Sequence, residues 1–163
     1  MHGSTLQQLS LDDMIRKSTL IVRGKVQQQT QAAFHGSLIW THYQIQITEA
    51  YKGTPGSQLD IVLPGGVSNG IQQTYSGVPS LVSGQDYVMF LWTSKSGLTQ
   101  VIGLSQGLFA ITSNSGFPQV VRAAATERML NATGQPVMDT DIQMPLGDLR
   151  NRIQAVLSAK GGQ

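Results

Sequence analysis

The sequence predicts a mainly β domain: a five-stranded Greek-key barrel with extra short strands, capped by a short N-terminal helix and a C-terminal amphipathic helix. Three observations predict it. Residues 39–47 alternate, with Ile39, Thr41, Tyr43, Ile45 and Ile47 on one face and Trp40, His42, Gln44 and Gln46 on the other, which is the period of a half-buried strand. The run Tyr87-Val88-Met89-Phe90-Leu91-Trp92 is apolar at every position, so a central strand there needs cover on both faces. Helical spacing appears near the two ends of the chain, and Gly24 interrupts the first strand where a small curved sheet has to bend.

Each element has its own local reason. Ser10 precedes Leu11-Asp12-Asp13-Met14-Ile15-Arg16-Lys17, with acids in the first turn, bases in the last, and Leu9 and Met14 at staple positions; this predicts a helix over residues 11–18. Residues 20–28 alternate next, placing Leu20, Val22, Gly24 and Val26 opposite Ile21, Arg23, Lys25 and Gln27, in a strand bent or bulged at Gly24. A tip at His35-Gly36 returns into the long second strand, and Leu59, Ile61 and Leu63 mark a third that stops at Pro64-Gly65-Gly66. Residues 67–86 are rich in Gly, Ser, Gln and Pro, with one short strand near residues 71–75; this is the longest irregular region, the kind of loop that carries function.

After the doubly apolar strand, residues 101–104, 108–112 and 119–122 read as three short strands of a meander, the last two joined by the turn Ser113-Asn114-Ser115-Gly116. The pattern dissolves after Ala123. Pro145 then opens a helix in which Leu146, Leu149, Ile153, Val156 and Leu157 keep helical spacing, ended by Gly161-Gly162.

The totals bound the rest. A chain of 163 residues suits one domain, since about 150 residues already bury about 70% of the unfolded surface. Residues 10–163 are assigned to that domain and residues 1–9 to an N-terminal extension, in which Met1-His2-Gly3 reads as a start and cloning remnant. Only 12% of the residues are charged, and 19 Gln join Ser and Thr in a neutral-polar surface. Lys and Arg exceed Asp and Glu by 11 to 9, a net +2, too small for the footprint of a nucleic-acid binder. With no cysteine, disulfides and thiolate metal sites are excluded. No apolar run approaches the roughly 18 residues of a transmembrane segment.

Three stretches resemble the netrin-like modules, the OB-fold barrel family that includes the tissue inhibitors of metalloproteinases. They are Ser18-Thr19-Leu20-Ile21-Val22-Arg23-Gly24-Lys25-Val26, then Thr41-His42-Tyr43-Gln44-Ile45-Gln46-Ile47 leading into Ala50-Tyr51-Lys52-Gly53, and Ser83-Gly84-Gln85-Asp86-Tyr87-Val88-Met89. The resemblance implies an OB-fold-like barrel. Inhibitors of that family chelate their target's zinc through an N-terminal cysteine, which this chain lacks, so no functional residue is carried over.

No catalytic set assembles from the residues. Gly103-Leu104-Ser105-Gln106-Gly107 has the spacing of a nucleophile elbow, but a strand rather than a helix follows it. All three histidines, His2, His35 and His42, precede the serine, against the Ser, acid, His order of that fold. His35 and His42 stand seven apart with no acids clustered near them and read as a loop-tip and a surface histidine, not metal ligands. Asp139 and Asp141 lack the glycine and glutamate of a calcium loop. Asn131-Ala132-Thr133 is a chance sequon, and Arg150 and Arg152, with Arg16 and Lys17, face water. Trp40 with His42, and Arg23 with Lys25, offer a modest platform for single-stranded nucleic acid.

The expectation is therefore a non-enzymatic binding module with no cofactor and no metal, exported by a bacterium and extracytoplasmic. It recognises a protein or cell-surface partner through barrel-rim loops at residues 65–84 and 34–40, with Phe34, His35, Trp40, His42, Asn69 and Tyr75 as the contact residues. A protease-inhibitor-like protein and a single-stranded nucleic-acid-binding OB-fold are the alternatives.

Overall fold

The computed structural model describes residues 5–29, 32–113, 116–125 and 127–161. His2 with the rest of residues 1–3, Asn114 and Ser115 of the predicted turn, and Gly162 lie outside them. The first half of the chain forms β1 (Thr5–Gln7), α1 (Leu11–Lys17), β2 (Leu20–Gln29), β3 (Ala33–His35), β4 (Leu38–Lys52), β5 (Gln58–Pro64), β6 (Gly66–Ser68) and β7 (Ile71–Gln73). The second half forms β8 (Asp86–Thr93), β9 (Thr99–Val101), β10 (Leu108–Thr112), β11 (Gln119–Arg122), β12 (Arg128–Leu130), β13 (Pro136–Val137), β14 (Ile142–Pro145) and α2 (Leu146–Gly161).

Five strands close a ring. β8 pairs with β2, β2 with β4, and β4 with β5, all antiparallel; β5 meets β9 in parallel, and β9 pairs back onto β8. Beyond the ring the sheet continues from β8 through β10 and β11 to β14. The protein is thus mainly β, with two helices among the described residues, neither long and apolar enough to cross a membrane.

The alternation of β2 and β8 divides the interior into two cores. Val22 and Val26 of β2, with Tyr87, Met89 and Leu91 of β8, face the inside of the ring, where Tyr43, Ile45, Ile61 and Leu63 join them. Ile21, Val88 and Phe90 point the other way, against Met14 and Ile15 of α1 and Leu146, Leu149 and Ile153 of α2. The doubly apolar run of β8 is covered on both faces, as its composition requires. Phe90 and Phe109 tilt against each other with centroids 5.6 Å apart, adding about 0.5–1.5 kcal/mol to their burial.

Gly24 is where β2 bends. Ladder irregularities flank it at Ile21/Val22, Arg23/Gly24 and Val26/Gln28. A Cβ at this position would lie 2.7 Å from both Gln46 O and Ile45 Cγ2, so only glycine lets β4 come this close. The N-terminal helix is positioned by its ends: Asp13 N donates to Ser10 Oγ at 3.0 Å, while Lys52 Nζ donates to the carbonyls of Ile15 at 2.8 Å and Arg16 at 3.0 Å. Both ends thereby acquire partners for backbone groups the helix itself leaves open.

Two expectations are corrected. The strand predicted over residues 101–104 ends at Val101; the chain then turns, with φ of 65° at Gly103 and 60° at Leu104, and Gly107 N donates back to Ile102 O. Ser105 therefore sits in a turn between β9 and β10. The polar stretch after Ala123, expected to lack pattern, contributes β12, β13 and β14: β12 runs parallel to β1 and β14 pairs with β11. Its organiser is a buried ion pair, Arg122 Nη2 to Asp139 Oδ1 at 2.7 Å, with side chains 5% and 4% exposed. Ala125 N donates to Asp139 Oδ2 and Ala124 N to Asp141 Oδ1, each at 2.7 Å, so both aspartates hold the chain. Within residues 1–9, Thr5–Gln7 is the strand that β12 accepts.

Candidate functional site

Two hairpins stand at one rim of the ring. The first joins β3 to β4 through the two-residue loop Gly36-Ser37, with His35 opposite Leu38 and Phe34 opposite Ile39. The second joins β6 to β7 through Asn69-Gly70, whose φ values of 53° and 76° are both positive, as a tight two-residue hairpin of matching twist requires. It starts where Gly65 and Gly66, at φ 101° and 133°, turn the chain out of β5. A Cβ on Gly66 would meet Thr41 Oγ1 at 2.6 Å, which fixes how tightly the second hairpin lies against β4.

One side chain ties the hairpins together. Gln73 Oε1 accepts from Ile39 N at 2.7 Å, and its Nε2 donates to Ser37 O at 3.1 Å. Tyr75 Oη donates to the same Oε1 at 3.3 Å, and Thr41 Oγ1 donates to Gly65 O at 2.8 Å. On this framework Leu38, Val67, Ile71 and Tyr75 are 44%, 56%, 51% and 38% exposed. By the register of β6 and β7, Val67 opposite Gln72 and Ile71 opposite Ser68 are presented on the two faces of the second hairpin.

The six residues singled out in the sequence fall into two groups. The β3–β4 hairpin places His35, Trp40 and His42 on one face, His35 exposed, and Phe34 half-buried on the other face with Ile39. Asn69 and Tyr75 belong to the second hairpin, Asn69 at its turn and Tyr75 joined through Gln73. Leu38, Val67, Ile71 and Gln73 lie within the two segments expected from the sequence, residues 34–40 and 65–84, but are not among the contact residues named there. The dipeptide Asn69-Gly70 between Val67 and Ile71 was the available signal for the second hairpin.

His35 and His42 are brought into contact, their Nε2 atoms 3.0 Å apart. Asp60 of β5 joins them, its Oδ2 2.7 Å from His42 Nδ1, and Gln44 Nε2 reaches Asp60 Oδ1 at 3.4 Å. Asp60 is 18 residues from His42 in sequence and enters only because β4 and β5 pair, so no local spacing announces the group.

A second surface lies where α2, β11 and β2 meet. A cleft of about 510 Å³ is lined by Phe117, Pro118, Leu146 and the guanidinium groups of Arg23 and Arg150, among others. Both charges are matched: Arg23 makes two hydrogen bonds to Asp86 Oδ2, at 3.0 and 2.8 Å, and lies 3.8 Å from Glu49, which Arg150 meets at 3.3 Å. The hydrogen bond to Asp86 holds the Arg23 guanidinium above its ordinary pKa. Tyr51, which donates to Glu49 at 3.0 Å, is pushed well above the usual phenol range by burial first and by that bond second. Arg23 thus belongs to a neutralised network. Comparison with protein-family models, curated proteins and solved structures gives no match to this chain.

Proposed function

We propose that the protein is a non-enzymatic, exported binding module that recognises a protein or cell-surface partner through the rim built by the β3–β4 and β6–β7 hairpins. The observation that carries this reading is the exposure of Leu38, Val67, Ile71 and Tyr75 on two hairpins locked by Gln73. A fixed scaffold presenting apolar side chains pays little ordering entropy on association, which favours docking of a complementary surface.

The scaffold reading is that of a netrin-like OB-fold barrel. It is supported by the ring order β8-β2-β4-β5, in which the fourth ring strand returns by a long connection to lie beside the first, as in a Greek key. A nucleic-acid partner is disfavoured by the engagement of Arg23 with Asp86 and Glu49, because such binding draws on available cationic groups.

The test is affinity capture from the envelope and extracellular fractions of the source organism, comparing the wild type with Val67→Asp/Ile71→Asp. The expected result is a saturable partner retained by the wild type and lost from the variant, whose fold is unchanged by circular dichroism. Equal retention by both proteins, or no saturable partner, would refute the proposal.

A further inference from the structure

We infer that His35 and His42 form a binding site for a first-row divalent metal of imidazole preference, filled most tightly by copper(II), with Asp60 as the carboxylate that orients His42. This site stands independently of the rim's partner. Its argument begins with the tautomer. Asp60 Oδ2 lies 2.7 Å from His42 Nδ1, and a carboxylate accepts, so in the neutral imidazole the proton sits on Nδ1 and the lone pair on Nε2. That lone pair faces His35 Nε2 at 3.0 Å. A histidine donating its far N–H to a carboxylate while its near nitrogen meets another imidazole is the arrangement that metal-ligating histidines adopt.

The distance supports the same conclusion. Nitrogens bound about 2.05 Å from one metal are about 3.3 Å apart in a tetrahedral site and, by the same trigonometry, about 2.9 Å apart as neighbours in a square plane. The observed 3.0 Å falls between these values, so the nitrogens are already at ligand separation, and each ring has to pivot to turn its Nε2 lone pair from its neighbour to the shared ion. With His42 Nε2 as acceptor, His35 Nε2–H is the donor of the metal-free pair; on binding, His35 changes tautomer, its Nε2 proton lost to solvent and one gained at Nδ1, so that both Nε2 lone pairs become ligands of neutral imidazoles. Among the described residues no group of three or more His, Cys, Asp or Glu side chains is placed to hold a metal. The described residues therefore supply two ligands, and the remaining positions are filled by water or by other donors. The preference for copper(II) over nickel(II) and zinc(II) follows from the general affinity order for nitrogen ligands.

The experiment adds copper(II) alone to the full, untagged chain carrying His2→Ala, which removes the competing N-terminal imidazole. Calorimetry gives stoichiometry and affinity, and electron paramagnetic resonance counts the coordinated nitrogens. The expected result is one copper per chain with two imidazole nitrogens. His35→Ala and His42→Ala each abolish that two-nitrogen signal and the rise in melting temperature caused by copper, and Asp60→Asn weakens affinity about 10–100-fold. Melting temperatures without metal report that the variants fold. No stoichiometric binding, or binding with the same affinity and spectrum in the folded His35→Ala or His42→Ala protein, would overturn the proposal.

Discussion

At the scale of single residues, the most constrained position is Gly24. Replacing it with alanine drives a methyl group into Gln46 O and Ile45 Cγ2, and the backbone oxygen cannot move aside without disturbing the β2–β4 ladder. The expected loss for Gly24→Ala is about 1–3 kcal/mol, read as a lower urea midpoint with an unchanged m-value. The residue was legible in the sequence because a lone glycine in an alternating strand marks a bulge or a close approach. Arg122 was not legible: an arginine at the end of a short strand looks like a surface charge, and its partner Asp139 comes from a stretch with no periodicity. Breaking this buried pair by Asp139→Asn should cost about 3–5 kcal/mol, because it strands a guanidinium away from water. In denaturant melts the double variant Arg122→Met/Asp139→Asn should lose less than the sum of the two single variants; additive losses would show that the two side chains act separately.

At the scale of elements, the strongly patterned ones could be read directly. α1, β2, β4, β8 and α2 all announce themselves by period or capping, and Ser10 caps α1 in the structure. The short strands β12, β13 and β14 could not be read, because two to four residues hold too little period, and β12 and β14 also pair with strands distant in sequence. Gln73 belongs at this scale, since one amide side chain joins two hairpins. Gln73→Ala should raise amide hydrogen exchange across residues 66–75 and at Ile39 at least tenfold while leaving β2 and β8 protected; unchanged exchange would mean that packing alone holds the second hairpin.

The two helices are linked by Arg152 Nε to Asp12 Oδ1 at 2.8 Å, and this hydrogen bond lowers the Asp12 carboxyl below its ordinary 3.8. A lowered folded-state pKa adds stability that is present above the unfolded value and is lost as pH falls through the folded one. Asp12→Asn should therefore be less stable than the wild type by less than about 1 kcal/mol near neutrality. The gap should close as pH drops below about 4 in urea melts; a gap that widens on acidification would contradict the assignment.

At the scale of the whole molecule, two cores meet along β2 and β8, one inside the ring and one beneath the helices. The bent first strand and the doubly apolar strand pointed to this division in the sequence, since each carries apolar groups on both faces. The candidate site was half legible. Phe34, His35, Trp40 and His42 were marked by their place on one hairpin, whereas the exposed Leu38, Val67 and Ile71 look in sequence like ordinary strand residues. Gln73 locks the two hairpins that carry them, and those hairpins carry the proposed recognition function. Photocrosslinking tests it most directly, with a photoreactive side chain placed at Ile71 and, as a control, at the exposed Lys95 on the β8–β9 turn. The protein is exposed to the envelope fraction and the adducts are identified by mass spectrometry. A single partner captured from position 71, absent at position 95 and lost on adding Val67→Asp, is the predicted result; the same adducts at both positions, or none at 71, would contradict it.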